Sequence, residues 1–333
     1  MTGIGLPQTY NGEPTSGREL AAFLMSAEEA GYDSAWVADG PLNQPALDPL
    51  SVLAVAAVHT TRMRLGSAVL VLPRYQPLLL ARSAATIDRL SGGRLTLGLG
   101  LGGDEPVDIG TGVPRGGRAE GFEDSLTLLR QLLRGAGEPL SLPETQARPV
   151  LAPTPVQAPL PIWLGASAPK ALRHAAGTAD GWVCSARADS RRFADQLATL
   201  LEALEEQGRH TDDFTIAKRC YIAIDQRPTD IEAWFRSVTA TDRPPGDVVL
   251  EGDASEVEGR LAGLRSSGVQ QLLIQPVGPD GRTQLEALAE HGAVERLAAA
   301  GRAATVPHSE RTTTSADEPT RSATAPQPHG RTF

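Results

Sequence analysis

Short apolar runs alternate with longer segments of helical periodicity along most of the chain. The clearest case is a pair of apolar runs, 65–72 and 94–100, on either side of the segment 77–89, where apolar residues recur at the spacing of an amphipathic helix. A strand, a helix and a strand of this length are typical of a parallel βαβ unit. Glycines 98, 100, 102 and 103 end the second run, and glycines there let backbone approach a ligand.

The same alternation continues to residue 301 and predicts eight strands, each followed by a helix. Eight is the period of a (β/α)8 TIM barrel, an α/β fold, whereas a doubly wound sheet normally has about six strands and a glycine-rich turn after the first. The predicted strands are 4–6, 34–38, 65–72, 94–100, 162–165, 181–185, 214–224 and 269–275. The predicted helices are 18–30, 49–59, 77–89, 120–134, 170–177, 190–207, 230–238, 254–267 and 283–301.

Two parts of the chain break this alternation. The segment 139–161 is rich in proline and has no clear periodicity, so it is predicted to be an irregular insertion. Beyond Ala304 the chain is rich in Ser, Thr, Pro and His and has almost no large apolar residues, so it cannot bury enough surface to become ordered. We therefore predict one barrel domain over residues 1–302 and a disordered C-terminal tail over residues 303–333.

Composition and charge argue against several classes of function. The formal net charge is −9 and no run of Lys or Arg occurs, which argues against a nucleic-acid partner. No basic amino-terminal segment precedes an apolar stretch, and no apolar stretch reaches about 18 residues, which argues against secretion and against membrane insertion. Cys184 and Cys220 both lie in apolar, strand-like segments and are predicted to be buried thiols of a cytoplasmic protein.

In a barrel of this kind, functional side chains lie at the carboxyl ends of the strands. After strand five the turn 166–172 places Ser167 and free backbone N–H groups at the start of a helix, which suits a phosphate group. The alternative is an ordinary connection in which Ser167 caps the helix. The other residues predicted at strand ends are Gln8, Tyr10, Asp39, Gly40, Arg74, Tyr75, Gly102, Gly103, Asp104, Glu105 and Ser185.

The six histidines do not predict a metal site. Four of them lie at helix ends or on a helix flank, and two lie in the tail. No His-x-His pair and no cluster of His with carboxylates falls at a strand end, so a metal-dependent hydrolase barrel is disfavoured. The histidines are His59, His174, His210, His291, His308 and His329.

Six motifs in residues 1–185 together resemble one family. They are AGYDSAWVAD at 30–39, RLGS at 64–67, RYQP at 74–77, LSGGRL at 90–95 running on to Gly100, PIWLG at 161–165 and ADGWVCS at 179–185. In this order they resemble the luciferase-like monooxygenase superfamily, and within it the barrel oxidoreductases that use flavin or the deazaflavin F420. The C-terminal third matches that family in its element pattern alone.

This resemblance implies a ring-binding site at the mouth of the barrel. Asp39 would lie near the ring edge, with a bulge against one face of the ring and a wall against the opposite face. A turn would hold the phosphate arm of the cofactor, and Ser185 would border the substrate. The protein would position the ring, and the cofactor would carry the redox chemistry. The implied bulge is Ser67, Ala68, Val69 and Leu70; the wall is Leu101, Gly102 and Gly103; the phosphate turn is Ala166, Ser167, Ala168 and Lys170.

The chain departs from the family at positions where a proton or a sugar phosphate would be handled. Many F420-dependent members carry Asp-His after strand two, where this chain has Asp39 and Gly40. Gly103 stands where sugar-phosphate dehydrogenases have Glu, and Arg187 and Ala188 stand where their Lys is expected, so glucose-6-phosphate oxidation is disfavoured. The catalytic residues predicted in their place are Asp39, Asp104 and Tyr10, with Glu105 or water as other proton sources.

Three functional hypotheses follow. The leading one is an F420-dependent oxidoreductase that moves a hydride to or from a small organic substrate. The second is an FMN-dependent monooxygenase that activates oxygen and receives reduced flavin from a partner reductase; Asp39, where many flavin members carry Glu followed by His, favours F420. The third is a degenerate barrel that binds a cofactor without turnover, suggested by the two absent proton-transfer residues. The resemblance also implies a homodimer.

Overall fold

Eight parallel strands form a closed barrel in the computed structural model, which describes residues 1–10, 13–40, 46–102, 117–134, 150–239, 241–244, 246–279 and 281–304. Each strand pairs in parallel with the next, and the eighth pairs with the first, which closes the sheet. The predicted (β/α)8 barrel is therefore confirmed. The strands are β1 Thr2–Gly5, β2 Ser34–Val37, β3 Arg64–Ser67, β4 Leu95–Gly100, β5 Ile162–Gly165, β6 Gly181–Cys184, β7 Thr215–Ile224 and β8 Gln271–Pro276.

Helices connect the strands and pack around the outside of the barrel, and several begin at residues that cap them. Ser16 and Glu19 form a capping box at the start of α1. Asp48 accepts a hydrogen bond from the Ser51 N–H at the start of α2, as its position before Pro49 predicts. The helices are α1 Gly17–Glu29, α2 Pro49–His59, α3 Pro77–Ser91, α4 Arg118–Leu132, α5 Pro169–Thr178, α6 Ser190–Glu206, α7 Pro228–Trp234, α8 Ala254–Ser266, α9 Gly281–Glu290 and α10 Ala293–Ala304.

The structure corrects the sequence-based boundaries at several places. The helix predicted over 283–301 is two helices, because Gly292 adopts a positive φ of 74° and ends the first of them. The strand predicted over 65–72 stops at Ser67, and Leu70–Val71 forms a separate short strand beside β4. A strand at Val249–Gly252, paired with β7, was not predicted. The helix predicted over 230–238 is α7 followed by a π-helical turn.

The described residues cover only part of the two irregular regions. Residues 150–161 contain no helix or strand, whereas 139–149 and the predicted tail beyond Ala304 lie outside the described residues. The domain limits at 302 and 303 stay a prediction. Within the described ranges, no helix combines the length and the apolar character that crossing a bilayer requires. Both cysteines are buried and free, as predicted.

Two stacked indoles fill the middle of the barrel. The ring centroids of Trp36 on β2 and Trp163 on β5 lie 4.9 Å apart at an interplanar angle of 20°. Glycines on neighbouring strands make room for them: a Cβ on Gly3 would lie 2.7 Å from Trp36 Nε1, and one on Gly181 would lie 2.7 Å from Trp163 Cδ1. The barrel interior is therefore packed, and function is left to its rim.

Glu28 joins α1 to the segment that leads into β3. Its carboxylate accepts hydrogen bonds from the backbone N–H groups of Thr61 at 3.1 Å, Arg62 at 2.7 Å and Met63 at 2.8 Å. Burial acts to raise the pKa of Glu28, but these N–H donors outweigh it, so the pKa lies below its ordinary value. The ionised carboxylate therefore stabilises this connection.

We expect Glu28→Gln to lower the free energy of unfolding at neutral pH by roughly 1 kcal/mol, a modest figure because the group is partly exposed. A carboxyl group with a depressed pKa contributes stability above its unfolded-state pKa, and that contribution is lost as the pH falls through the folded-state pKa. Urea unfolding at about pH 7 and at about pH 3 should therefore show the deficit only at the higher pH. The exposed neighbour Glu29→Gln is the control and should show no deficit; an equal deficit for Glu28→Gln in acid would contradict the expectation.

Candidate active site at the carboxyl ends of the strands

The chain forms a bulge between β3 and the short strand Leu70–Val71. Ser67 is fully buried, and its hydroxyl donates to the Gly98 carbonyl at 2.8 Å and accepts from the Gly98 N–H at 2.9 Å. The peptide bond between Ala68 and Val69 is cis. A Cβ on Gly100 would lie 2.7 Å from Val69 Cγ2, so the glycines of β4 make room for the Val69 side chain at the barrel mouth.

Asp39, which follows β2, is held against this bulge. Its Oδ2 accepts from the Val71 N–H at 3.0 Å, and its own N–H donates to the Val69 carbonyl at 3.2 Å. Arg74 Nη1 lies 3.5 Å from Asp39 Oδ1, and only 8% of each of these two side chains is exposed. The Tyr75 hydroxyl acts on the same carboxylate and lowers the pKa of Asp39. Residues that the sequence places after two different strands therefore meet in one cluster.

Burial decides the acidity of this cluster. Burial raises the pKa of Asp39, and the Val71 N–H, the Arg74 guanidinium and the Tyr75 hydroxyl oppose that rise without cancelling it. Burial, together with the negative charge of Asp39, also raises the pKa of Tyr75, which keeps its hydroxyl protonated. A buried carboxyl group with a raised pKa and a hydroxyl partner can hold or release a proton at the edge of a bound ligand.

The end of β4 lies beside the same bulge. Leu101 is 37% exposed, and its carbonyl accepts from Arg118 Nη2 at 3.0 Å. Gly102 has a positive φ of 76°, and a Cβ there would lie 2.5 Å from Val71 Cγ1. Gly102 therefore lies against Val71, beside the bulge. The predicted site residues Gly103 and Asp104 lie outside the described residues.

The turn after β5 leads into an uncapped helix. The N-cap of α5 is Ala168, which offers no side-chain hydrogen bond, so the alternative in which Ser167 caps this helix is wrong. The first backbone N–H groups of α5 therefore have no side-chain cap, and Ser167 and Lys170 are exposed beside them. The Trp182 indole N–H donates to the Ala166 carbonyl at 2.9 Å. A helix start of this kind suits an anion.

A buried lysine that was not predicted from the sequence fixes the loop after β6. Lys218 on β7 is 5% exposed, and its ammonium donates to the carbonyls of Ser185 at 2.6 Å and Ala188 at 3.0 Å. The signal in the sequence is the pair Lys218–Arg219 inside the otherwise largely apolar segment 214–224, because a charged residue in a buried strand needs a specific partner. Burial raises the pKa of the adjacent Cys184 thiol to about 11, so this cysteine is not a thiolate at neutral pH.

The remaining predicted residues are placed less fully. Tyr10 belongs to a short strand, Thr9–Tyr10, that pairs with Glu13–Pro14 after β1. Two of the histidines face carboxylates on the outer helices, His174 with Glu123 and His291 with Glu258. No group of three His, Cys, Asp or Glu side chains suited to a metal ion occurs in the part of the chain that the structure describes.

Comparison with known proteins agrees with this architecture. The model of the luciferase-like monooxygenase family matches residues 2–314. The F420-dependent glucose-6-phosphate dehydrogenase of Beutenbergia cavernae is 34% identical over 212 residues, which are 60% of this chain and 61% of that relative. This chain therefore aligns with less than two thirds of that relative's length.

Two solved structures show the same fold at low sequence identity. An F420-dependent secondary alcohol dehydrogenase in complex with an F420-acetone adduct is 16% identical with a TM-score of 0.73, and the match covers 88% of this chain and 98% of that one. The oxygenating constituent of 3,6-diketocamphane monooxygenase from Pseudomonas putida, in complex with FMN, is 16% identical with a TM-score of 0.63, covering 86% and 95%. At this identity the likeness concerns the fold alone.

Proposed function

Because the chain belongs to the luciferase-like monooxygenase family, we propose that it is an F420-dependent oxidoreductase that moves a hydride between the deazaflavin and a small organic substrate. The observation that carries the proposal is the Asp39 carboxyl group, buried and held by the bulge after β3 at the mouth of the barrel. The F420-dependent relative from Beutenbergia cavernae supports F420 over FMN.

The residues present fit such a cofactor. We propose that its ring lies against the bulge formed by Ser67, Ala68, Val69 and Leu70, with Asp39 at the ring edge and Leu101, Gly102 and Gly103 as the opposite wall. The uncapped N-terminus of α5, with Ser167 and Lys170 exposed beside it, fits a phosphate arm. When bound, F420 would supply the centre that accepts or donates the hydride. Further proposed contacts are Ala166, Ala168 and Ser185.

The protein's own part in the reaction would be to hold and move a proton. Asp39 keeps a raised pKa next to the Tyr75 hydroxyl, so a proton can be held on the carboxyl group and passed at the ring edge. Asp104 and Tyr10 stay candidates for a second proton donor. The Arg74 guanidinium, 3.5 Å from the Asp39 carboxylate, holds that carboxylate in place.

The proposed substrate is not a sugar phosphate. Arg187 and Ala188 stand where the resemblance to sugar-phosphate dehydrogenases places a lysine, and Arg187 contacts the Thr241 hydroxyl. Lys218 does not replace that lysine, because its ammonium is buried and donates to two backbone carbonyls of the same loop. We therefore propose a small uncharged substrate, either an alcohol that gives up a hydride or a carbonyl or other reducible compound that accepts one.

Titration of the purified protein with F420 and with FMN, each oxidised and reduced, tests this function. We expect micromolar or tighter binding of F420 with FMN weaker by roughly tenfold or more. Ser167→Ala should weaken F420 binding by roughly tenfold through the loss of a charge-assisted hydrogen bond, whereas Ser266→Ala on the exposed face of α8 should not. Preferential binding of reduced FMN would favour the monooxygenase with a reductase partner, and binding of neither cofactor would refute the proposal.

A further inference from the structure

Arg219 lies in the middle of β7 and faces the inside of the barrel. Its two neighbours in the sequence face outward, because the Lys218 ammonium lies over the Phe193 ring of α6 at 5.7 Å and Cys220 packs in the core that joins the strands to the surrounding helices. Side chains alternate along a strand, so Arg219 shares the inner face with Ala217, which packs with the two stacked indoles. Arg219 lies two residues nearer to the carboxyl end of β7 than Ala217, and therefore toward the mouth of the barrel.

The accessible residues of the strands show that the mouth is open down to the level of Arg219. In β7 only the first residue and Arg219 are accessible, and in β8 only Gln275 is. Gly165 at the end of β5 is also accessible, and Ser185 after β6 is exposed. Each of these four residues lies two positions beyond a member of the cluster around the indoles. They therefore belong to the floor of the mouth, directly above the packed layer.

The guanidinium of Arg219 has no protein partner. Among the residues that the structure describes, none accepts a hydrogen bond from it or forms an ion pair with it, and its nitrogen atoms keep accessible surface. Its neighbour Lys218, by contrast, donates to two backbone carbonyls. A charged residue on a strand that is otherwise buried normally has a partner, because burying a charge without one costs free energy. The Arg219 guanidinium is therefore available to an acceptor atom of a molecule bound in the mouth.

Neutral hydrogen-bonding side chains lie on both sides of Arg219. The last residue of β6 pairs with Lys218, so Ser185 lies beside Arg219. On the other side, Gln275 of β8 lies two residues beyond the residue that pairs with Arg219. Among the described residues of this floor, one cation is thus flanked by a hydroxyl and an amide. Such a set suits a ligand oxygen that is uncharged when it binds and becomes charged during a reaction.

We propose that Arg219 binds the substrate oxygen whose charge changes during hydride transfer, an inference that rests on the proposed function. When a carbonyl compound is reduced, its carbon gains the hydride and the π electrons of the C=O bond move onto the oxygen. That oxygen then takes up a proton, for which Asp39 is the proposed donor. A guanidinium beside the oxygen stabilises its negative charge before the proton arrives. In the reverse direction the same contact stabilises the oxygen of an alcohol as it loses its proton to Asp39 and its hydride from carbon.

Titration of the full chain with trifluoroacetate and with trifluoroacetamide, followed by fluorine NMR, tests this role. The two probes have nearly the same shape, and only trifluoroacetate carries the negative charge that the substrate oxygen acquires. We expect the wild type to bind trifluoroacetate roughly tenfold more tightly than trifluoroacetamide. Arg219→Met should remove that preference, and Arg219→Lys, which keeps the charge, should retain part of it. Arg191→Met on the exposed face of α6 is the matched control and should retain it in full.

The outcomes separate this role from the proposed function, because both probes are titrated without cofactor. No preference for trifluoroacetate in the wild type, or the same preference in Arg219→Met, overturns the inference and leaves the proposed function intact. The preference should persist in Ser167→Ala; its loss there would place the anion at the start of α5 and would also overturn the inference. Failure of the wild type to bind F420 would refute the proposed function instead.

Discussion

Gly98→Ala is expected to destabilise the protein by about 3 kcal/mol, or to prevent it from folding. A Cβ at this position would overlap the Ser67 carbonyl oxygen, which is backbone and cannot move aside as a flexible side chain can. Ser67 in turn is fixed by both of its hydrogen bonds to Gly98. The substitution therefore displaces the bulge itself, and urea unfolding followed by circular dichroism measures the loss.

Gly121→Ala is the matched control for this substitution. Gly121 lies inside α4, is exposed, and has open space where its Cβ would be. Alanine has the higher helix propensity, so this variant is expected to gain roughly 0.5–1 kcal/mol. A loss of less than about 1 kcal/mol for Gly98→Ala would show that the bulge can shift at little cost and that its geometry is not held by β4.

Asp39→Asn is expected to weaken the binding of reduced F420 by roughly ten- to a hundredfold, the value of a hydrogen bond to an ionised acceptor. The side chain keeps its shape in this variant and loses its charge, so the effect reports on the carboxylate. Asp195→Asn, an exposed aspartate on α6, should leave the affinity unchanged. Equal affinities in Asp39→Asn and the wild type would show that Asp39 does not face the ring.

The pH dependence of the same binding adds a second test. Burial and the charge of Asp48 raise the pKa of Asp39. The Val71 N–H, Arg74 and the Tyr75 hydroxyl oppose this rise. Tyr75→Phe removes that hydroxyl and should raise the pKa of Asp39 further. If F420 binding needs the ionised carboxylate, the affinity decreases as the pH is lowered through the pKa of Asp39. That decrease should therefore begin at a higher pH in Tyr75→Phe than in the wild type. A shift to lower pH would contradict this arrangement.

The barrel could be predicted from the sequence because each strand and each helix has its own pattern of apolar residues within a short segment of the chain. Buried parallel strands are short apolar runs, and the residues that end them, such as Gly165 and the Asp39–Gly40 pair, follow directly. The same reasoning fails where a distant contact decides the structure. The run 65–72 is apolar apart from Ser67, yet β3 ends at Ser67, whose hydroxyl bonds to Gly98 on another strand.

The candidate site was predictable in its positions more than in its partners. Asp39, Arg74 and Ser167 were expected at strand ends, and the structure places them there. The bond between the Asp39 carboxylate and the Val71 N–H, and the buried ammonium of Lys218, join segments that are far apart in the sequence. Such partners leave no periodic signal, and a polar residue within a largely apolar segment is what the sequence shows of them.

The stacked indoles of Trp36 and Trp163 give the protein an internal optical reporter. β2 and β5 are not neighbours in the sheet, so the two rings meet only when the first half of the barrel has curved around its axis. Two chromophores in van der Waals contact couple their transitions and produce a paired circular dichroism band that neither ring shows alone. Refolding followed in that band would time the closure of the barrel separately from the formation of its helices, without any added label.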